Sequence, residues 1–344
     1  NTGHIYERLY VPFDKIGTST IAFDTNNVLY SKLRPYLNKV VIPDCPGYAT
    51  SEMLPLKPNK NYITREYLTY FLRSPKFVAY INEKTSGAKM PRANSSDLKS
   101  VEIECPTLEN QRHITSEFDR IISIVRLRQQ QLQKLDELVK ARFVEMFGDP
   151  MTDISKWSTS TIGEQFNVTS GGTPATGEKA YWENGTIPWI GSNMCQDTIL
   201  SGNDGKFITE EGYTHSSAKW FHKGTVLVAL VGATIGKTAL LRFDTTTNQN
   251  IAAIDVNNNV AFSSEFVFYH MQMLYSKFME IGSGKFKMAN QGFIRQLPLI
   301  CPPIELQDQF ATFVEQTDKS KVAVQKALDE AQLLFDSLMQ KYFG

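Results

Sequence analysis

Two segments of this chain repeat each other and thereby indicate its domain organisation. Residues 93–111 read ANSSDLKSVEIECPTLENQ, and residues 289–307 read ANQGFIRQLPLICPPIELQ, at a shift of 196 positions without a gap. Further upstream, Val28-Leu29 matches Val226-Leu227 at a shift of 198 positions. A period of this length indicates a duplicated domain, because the units of a solenoid recur every roughly 20 to 50 residues.

The repeat predicts two globular domains, each followed by a helical segment. We place the first domain at residues 1–108 and its helical segment at 109–150, and their second copies at 151–303 and 304–344. A chain of 344 residues is long enough for two hydrophobic cores. The second copy begins with roughly 40 to 50 residues that have no counterpart in the first. We therefore expect the N-terminal part of the first domain to be missing.

Composition and charge exclude several classes of protein. The hydrophobic fraction of 42% is ordinary for a globular protein, and no run approaches the roughly 20 apolar residues that span a bilayer. The first residues lack the features of a secretory signal, and the four cysteines are far apart, which favours a reduced, metal-free protein of the cytoplasm. Because Lys plus Arg equals Asp plus Glu at 36 each, partners must help to hold any nucleic acid.

Each copy contains a long stretch whose apolar residues follow a heptad pattern. Residues 110–147 contain neither proline nor glycine, which predicts an uninterrupted helix. The heptad positions are Ile114, Phe118, Ile121, Val125, Leu132, Leu135, Val139 and Met146, and in the second copy Phe310, Val314, Val324, Leu328, Ala331, Phe335, Leu338 and Tyr342. Such a seam must be covered, either by the helix's own domain or by the other helix. We favour antiparallel pairing of the two helices, with their register fixed by polar seam positions: Arg128, Arg142, Thr317 and Lys321.

Outside the helical segments, the sequence predicts two mixed α/β domains of the α+β class. In the second domain, residues 225–231 and 250–256 have the composition of buried strands, and residues 262–279 that of a helix. The matching segments of the first domain are residues 27–31, 48–54 and 64–80.

Candidate DNA contacts lie in two kinds of loop. A loop rich in Gly, Lys and Asn follows the predicted helix of each copy, and its candidates are Lys89, Arg92 and Asn94 in the first copy and Lys285, Lys287, Asn290 and Gln291 in the second. Lysine binds phosphate, whereas Asn and Gln read the edge of adenine with two hydrogen bonds. The same loops are equally explained as solvated segments in which Asn94 and Asn290 cap a helix. The second kind of loop joins two strands and contributes Lys32, Arg34 and Lys237.

The most enzyme-like string is GATIGKT at residues 232–238, which approaches a phosphate-binding loop. That motif needs four residues between its glycines, and this string has three. The five histidines form no metal-spaced pair, and the chain contains no GxSxG nucleophile motif. We therefore expect no catalytic, cofactor or metal site in this chain.

Taken together, these features resemble the specificity subunit of a type I restriction-modification system. The resemblance rests on the duplicated domain and helix, on CPTLENQ and CPPIELQ at residues 105–111 and 301–307, and on FVEMFGDP at residues 143–150. It covers essentially the whole chain. It implies two target recognition domains that each read one part of a split sequence in double-stranded DNA. It also implies that the two helices pair in antiparallel orientation, set the gap between these parts and dock two methyltransferase subunits.

The same resemblance implies which chemistry belongs to partner subunits. The methyltransferase subunits would bind S-adenosylmethionine and methylate adenine, and restriction subunits that use ATP and Mg²⁺ would translocate and cut unmodified DNA. This chain would then carry no catalytic residue.

Two other functions stay open on the residues alone. A coiled-coil scaffold whose domains bind protein would need the same helices, and it would differ in whether the loops at Lys89 and Lys285 converge on one concave basic surface. An enzyme would need a nucleotide site at residues 232–238, and failure to bind ATP would exclude it.

Overall fold

The protein forms two units, and each unit contains parts of both long helices. The computed structural model describes residue 17 and residues 19–85, 90–152, 156–281 and 288–344. The long helices are α4 (Leu108–Phe147) and α10 (Ile304–Phe343), each of 40 residues. The first unit is the chain up to Leu132 together with Ala323–Gly344, and the second unit is Gln133–Val322. Within the described ranges, no helix combines the length and the apolar composition needed to cross a membrane.

The first unit contains two small antiparallel sheets and three short helices. One sheet has the strand order β3 (Val40–Val41), β2 (Val28–Ser31), β5 (Met53–Leu56), and the other pairs β1 (Thr20–Phe23) with β4 (Gly47–Thr50). The helices are α1 (Arg65–Arg73), α2 (Pro75–Glu83) and α3 (Ser95–Lys99). Every residue of β2 is buried, so this strand lies at the centre of the core.

Two predictions for the first unit were wrong in detail. The single strand predicted at residues 48–54 is two strands, β4 and β5, because the polar residues Ser51 and Glu52 form a turn between them. The single helix predicted at residues 64–80 is interrupted at Ser74. Proline disfavours a helical backbone at the residue before it, and the Ser74 hydroxyl instead accepts the Phe77 N–H at 3.2 Å as an N-cap.

The second unit has more strands. Its five-stranded sheet has the order β7 (Asn167–Ser170), β15 (Ile251–Asp255), β12 (Val226–Ala229), β13 (Thr238–Leu241), β9 (Thr198–Leu200). A four-stranded sheet has the order β10 (Phe207–Ile208), β8 (Ile187–Ile190), β14 (Thr245–Thr247), β11 (Trp220–Phe221), and a further sheet pairs β16 (Pro298–Cys301) with β6 (Ser158–Thr161). The helices are α5 (Ile162–Gln165), α6 (Glu210–Thr214), α7 (Ser264–Met273), α8 (Tyr275–Met279) and α9 (Gln291–Gln296).

The sequence repeat is visible in the strand register of the two units. β2 pairs with β5 in the first unit in the same register in which β12 pairs with β15 in the second. Val28 faces Leu56, and its counterpart Val226 faces Ile254. β3 and β13 also take equivalent places on the other side of β2 and β12. The two domains therefore share one three-stranded frame.

Within each unit, one part of α4 packs antiparallel against one part of α10. In the first unit the ring centroid of Phe118 lies 5.3 Å from that of Phe335, so the N-terminal part of α4 meets the C-terminal part of α10. In the second unit Phe143 lies 5.4 Å from Phe310, and the opposite ends meet. The predicted antiparallel pairing of the helices is thus confirmed.

Polar residues of the predicted seam make specific contacts in the second unit. Lys321 Nζ lies 2.7 Å from Asp136 Oδ1, so one ion pair joins α10 to α4. The guanidinium of Arg142 lies 5.9 Å from the centre of the Phe313 ring, a cation–π distance. Because these polar groups have partners on the facing helix, they favour one alignment of the helices over its neighbours.

A buried glutamine near the start of each long helix fastens that helix to its domain. Gln111 Oε1 accepts the Thr64 N–H at 2.8 Å, and Gln111 Nε2 donates to the carbonyls of Tyr62 and Pro106 at 2.7 and 2.8 Å. The equivalent partners of Gln307 are the Ser263 N–H at 2.9 Å and the carbonyls of Ala261 and Pro302 at 3.0 and 2.9 Å. Thr64 and Ser263 are the N-caps of α1 and α7, so each glutamine joins two helix starts.

Candidate nucleic-acid interface

The predicted DNA contacts divide into those the structure describes and those it does not. Lys89, Lys285 and Lys287 lie outside the described residues. The question of whether the loops at Lys89 and Lys285 converge on one basic surface therefore also falls outside them. The remaining seven candidates lie within the described ranges. Their base or phosphate contacts stay predictions, but their positions in the protein are now known.

In the first unit, the strand loop and the loop after the helix meet at one edge of the sheet. The Lys32 N–H donates to the Glu52 carbonyl at 2.8 Å, and the Lys32 carbonyl accepts the Ala93 N–H at 3.0 Å. The Arg34 N–H donates to the Pro91 carbonyl at 2.8 Å. These main-chain bonds bring four predicted contacts to one edge: Lys32, Arg34, Arg92 and Asn94.

The second unit builds the same edge with counterparts of the two Lys32 main-chain bonds. The Leu230 N–H donates to the Asn250 carbonyl at 2.8 Å, and the Leu230 carbonyl accepts the Ala289 N–H at 2.8 Å. Val231 and Met288 form the isolated β-bridge that Leu33 and Arg92 form in the first unit. We call these two surfaces the matched edges, and their equivalent residues are Lys32, Glu52, Arg92 and Asn94 in the first unit and Leu230, Asn250, Met288 and Asn290 in the second.

Charged side chains dominate the matched edge of the first unit. Arg92 Nε lies 3.1 and 3.3 Å from the two carboxylate oxygens of Glu52. The side chains of Arg92 and Glu52 are 49% and 35% exposed, so water screens this pair and about 1 kcal/mol or less would be lost on separating it. Asn94 is exposed and precedes α3 without a side-chain capping bond. All three groups can therefore reach an external partner.

Amide side chains dominate the matched edge of the second unit. An open cleft of about 520 Å³ lies there, lined by Ser170, Gly171, Ser217, Lys219, Leu230, Val231, Gln249, Asn250, Met288, Ala289, Asn290 and Gln291. Asn290 caps α9, as its Oδ1 accepts the Phe293 N–H at 2.9 Å. Gln291 Nε2 donates to Ser170 Oγ at 3.0 Å, and Gln291 Oε1 accepts from Arg295 at 3.0 Å. The helix-capping interpretation of Asn290 is confirmed, and Gln291 has both ends of its amide engaged.

Asn250 differs from these amides because its side chain makes no hydrogen bond within the described part of the chain. Its backbone is held on both sides, since its N–H donates to Asn248 Oδ1 at 3.1 Å and its carbonyl accepts from Leu230. Met288, on the same cleft, is 65% exposed. The cleft thus presents one free amide on a fixed backbone beside one exposed apolar side chain.

The string at residues 232–238 forms the turn that joins β12 to β13. Gly232 and Gly236 have positive φ angles of 74° and 76°, and their counterparts Arg34 and Asn38 have 52° and 49°. Glycine adopts such angles readily, whereas other residues lose about 1 kcal/mol or more. Arg34 Nε is also buried without a hydrogen-bond partner among the described residues.

Lys237, a predicted phosphate contact, is engaged inside the second unit. Its Nζ lies 2.6 Å from Asp197 Oδ2 and 4.7 Å from the centre of the Tyr275 ring. The same carboxylate accepts the N–H and the hydroxyl of Thr238 at 3.0 and 3.1 Å. A phosphate would therefore have to compete with Asp197 for this ammonium group.

Sequence reasoning missed four residues of the matched edges: Glu52, Leu230, Asn250 and Met288. A signal for them exists in the repeat, because the shifts of 198 and 196 place Glu52 opposite Asn250 and Arg92 opposite Met288. Positions at which two copies share a frame but differ in chemistry are candidates for different recognition. Across the described ranges, no group of three or more His, Cys, Asp or Glu side chains is arranged to hold a metal ion.

Comparison with known proteins gives one result for both copies of the repeat. A family model described as the type I restriction modification DNA specificity domain matches residues 15–137 and 154–331. The specificity subunit of the Escherichia coli type I restriction enzyme EcoR124I/EcoR124II is 31% identical over 114 residues, or 32% of this chain and 27% of that protein. The MjaIX specificity subunit of Methanocaldococcus jannaschii is 22% identical over 325 residues, or 86% of this chain and 74% of that protein.

Solved structures share the fold over nearly the whole chain. One, from work on complex assembly and conformational transition of the type I R-M system, has a TM-score of 0.65 and 19% identity, covering 99% of this chain and 88% of that one. A type I restriction-modification S subunit from M. genitalium has a TM-score of 0.55 and 17% identity, covering 96% and 85%. At these identities the likeness shows the fold alone: two mixed α/β domains, each followed by a long helix.

Proposed function

Because this chain belongs to the type I restriction-modification DNA specificity family, we propose that it recognises a bipartite sequence in double-stranded DNA on behalf of partner enzymes. Each matched edge would read one part of the target in a groove of the duplex. The chain itself would bind and orient, while catalysis would take place on other subunits.

The observation that carries this proposal is the matched edge itself. The two main-chain hydrogen bonds made by Lys32 recur at Leu230 in the second unit, whereas the side chains of the edge are charged in the first unit and amide or apolar in the second. Sequence is read by side chains at base edges, and contacts to phosphates only set the register. A constant frame with two different sets of side chains is what a reader of two different half-sites requires.

The long helices supply a surface for the partner enzymes. Four apolar side chains of the first unit are between 46% and 71% exposed on these helices: Ile124, Leu127, Leu333 and Leu334. Exposed apolar area of this kind stabilises a protein–protein contact when a partner covers it. We assign this surface to the docking of two methyltransferase subunits, which would supply the S-adenosylmethionine site.

The balanced charge of the chain supports the same assembly. With 36 basic and 36 acidic residues, it has no excess positive charge to hold a duplex alone. The methyltransferase subunits would close around the DNA, and restriction subunits using ATP and Mg²⁺ would join them. The proposed location is the cytoplasm, which agrees with four free cysteines.

The test is methylation of a random DNA library. This chain, its methyltransferase partner and S-adenosylmethionine are incubated with random duplexes, and methylated molecules are sequenced. We expect one bipartite consensus, and the methyltransferase without this chain is the control. A complex that forms but methylates without sequence preference would contradict the proposal and favour the protein-scaffold alternative.

A further inference from the structure

We infer that Glu52 with Arg92, and Asn250 with Met288, select the base pair at one equivalent position in each half of the target: G·C for the first pair and A·T for the second. This inference rests on the proposed function, since it names which bases the matched edges read. The two pairs share their backbone geometry and differ in their side-chain chemistry.

The two pairs occupy the same place in the same frame. Residue 52 or 250 offers its carbonyl to the end of the central strand at 2.8 Å in both units. Residue 92 or 288 forms the isolated bridge to that strand end in both units. A base pair in the same position relative to either matched edge would therefore face side chains that start from equivalent backbone positions.

The first pair has the chemistry of a guanine reader. Arginine donates two hydrogen bonds to O6 and N7 of guanine, and a carboxylate accepts from N4 of cytosine. Glu52 holds Arg92 through Nε, at 3.1 and 3.3 Å, so the two terminal guanidinium nitrogens have no hydrogen-bond partner among the described residues. A guanidinium oriented by a neighbouring carboxylate is ready to bind without losing further side-chain freedom.

The second pair has the chemistry of an adenine reader. Asparagine accepts from N6 and donates to N7 of adenine, which needs both ends of one amide. Of the amides that line the cleft, Asn290 and Gln291 are engaged as described above, and Gln249 Oε1 accepts from Thr173 Oγ1 at 2.6 Å. Among these cleft-lining amides, only that of Asn250 has neither end hydrogen-bonded to a described residue.

Met288 adds a second reason to assign A·T to this position. Thymine presents a methyl group in the major groove next to the edge of adenine, and apolar side chains recognise that methyl group. The Met288 side chain is 65% exposed and lines the same cleft as Asn250. One free amide and one apolar side chain together match the two halves of an A·T pair.

The experiment exchanges the two pairs. Asn250→Glu with Met288→Arg gives the second unit the pair of the first, and Glu52→Asn with Arg92→Met makes the reverse change. Each variant is run in the random-library methylation assay with the methyltransferase partner. We expect the first exchange to change one position of one half-site from A·T to G·C, by about 5-fold to 150-fold in preference, and to leave the other half-site unchanged.

Controls separate this inference from the proposed function. Asn258→Ala alters an exposed amide at the other end of β15, bonded to Asp255 at 2.8 Å, and should leave the target unchanged. If an exchanged chain fails to fold, Asn250→Ala replaces it, because it removes only a side chain without a described partner. It should lower the preference for A·T at one position and keep the rest of the target.

Three outcomes are distinguishable. A change confined to one base pair in the half-site of the altered unit supports the inference. If the wild-type chain selects no sequence, the proposed function fails, and the inference fails with it. If the wild-type chain selects a bipartite sequence and Asn250→Ala and both exchanges leave every position unchanged, the inference alone is overturned.

Discussion

The first unit places Arg34 and Asn38 where the second unit places Gly232 and Gly236, yet all four residues have positive φ angles. The two turns solve one backbone problem in different ways. In the second unit, a Cβ on Gly236 would lie 2.7 Å from Cγ of Phe278, so glycine is required by space as well as by angle. In the first unit, Asn38 uses its side chain, whose Nδ2 donates to the Arg73 carbonyl at 3.0 Å.

The duplicated domain therefore keeps its backbone frame while its side chains change. The strand register, the bridge to the loop after the helix and the positive sign of the two turn φ angles are the same in both units. Side chains on this frame differ, even at Arg34, where a residue with a Cβ stands in the place of Gly232 and strains the backbone. The following predictions test how far the two units are equivalent.

The largest effect is expected from the phenylalanine that ends each long helix. Phe147 is fully buried between Phe143 and Phe266, with ring centroids 5.0 Å away from both. Its counterpart Phe343 is 6% exposed and borders a cleft of about 580 Å³. We expect Phe147→Ala to lower the free energy of unfolding by about 4 kcal/mol and Phe343→Ala by about 3 kcal/mol.

Guanidinium unfolding followed by circular dichroism measures both losses. Leu333→Ala, at a side chain that is 71% exposed, is the control and should change the stability by less than about 0.5 kcal/mol. A larger loss at Phe343 than at Phe147 would show that the burial difference between the two units does not govern their stability.

A slightly smaller effect is expected from the buried glutamines. Gln111→Met and Gln307→Met should each cost about 2 to 3 kcal/mol, because each leaves one N–H and two carbonyls without their side-chain partner. Hydrogen exchange of the Thr64 and Ser263 amides should rise in the matching variant. Gln325→Met is the control, since Gln325 is exposed and bonds only to Asp329 on its own helix. If only one of the two variants is destabilised, Gln111 and Gln307 do not stabilise their units equivalently.

The next prediction concerns pH and the second unit. Burial lowers the pKa of His270 to about 4, against the opposing effect of its hydrogen bond to the Pro298 carbonyl. The unfolded chain takes up a proton near pH 6.5 and the folded chain does not, so stability is present above pH 6.5 and is lost as the pH falls towards 4. Between pH 7.5 and pH 5 we expect the free energy of unfolding to fall by about 2 kcal/mol from this residue.

His270→Phe tests that dependence, because Phe71 follows the N-cap Thr64 by seven positions, as His270 follows the N-cap Ser263. Both chains are unfolded with urea at pH 7.5 and at pH 5. The variant should lose about 2 kcal/mol less than the wild type between these conditions. Equal losses in both chains would mean that His270 is not the group responsible.

The smallest effect is expected at Arg34. Arg34→Gly should raise the free energy of unfolding by about 1 kcal/mol, since it removes the cost of a positive φ angle at a residue with a Cβ. Thermal unfolding measures this gain, and DNA binding should weaken in the same variant if Arg34 contacts the duplex. A loss of stability would show that the Arg34 side chain stabilises the turn it strains.

Much of the fold could be predicted because its signals are local or periodic. The long helices follow from a run without Pro or Gly and from a heptad pattern, and the buried positions of Phe118, Val139 and Phe310 agree with it. The interruption at Ser74 was missed, although Pro75 is a local signal for it. Phe143, which is fully buried, was missed because the heptad pattern did not include it.

The candidate site could be predicted only in part. The sequence predicts Lys32, Arg92 and Asn290 as candidate contacts because basic and amide residues in loops are recognisable in a sequence. The sequence predicts Asn250 as the first residue of a strand and Glu52 as part of one, so neither is a candidate contact. The carbonyl of Asn250 accepts from Leu230 and that of Glu52 accepts from Lys32, each 20 positions away in the chain. Such pairings follow from the fold and not from composition.

The division of the helices between the two units also has a consequence for synthesis of the protein on the ribosome. The core of the first unit includes the stacked rings of Phe118 and Phe343, 6.0 Å apart, and the second unit is built from Gln133–Val322 between them. A nascent chain that has reached Val322 has all the residues of the second unit but not those of the first. The domain translated first is therefore completed last, and until Phe343 emerges the apolar side chains that pack against it stay exposed.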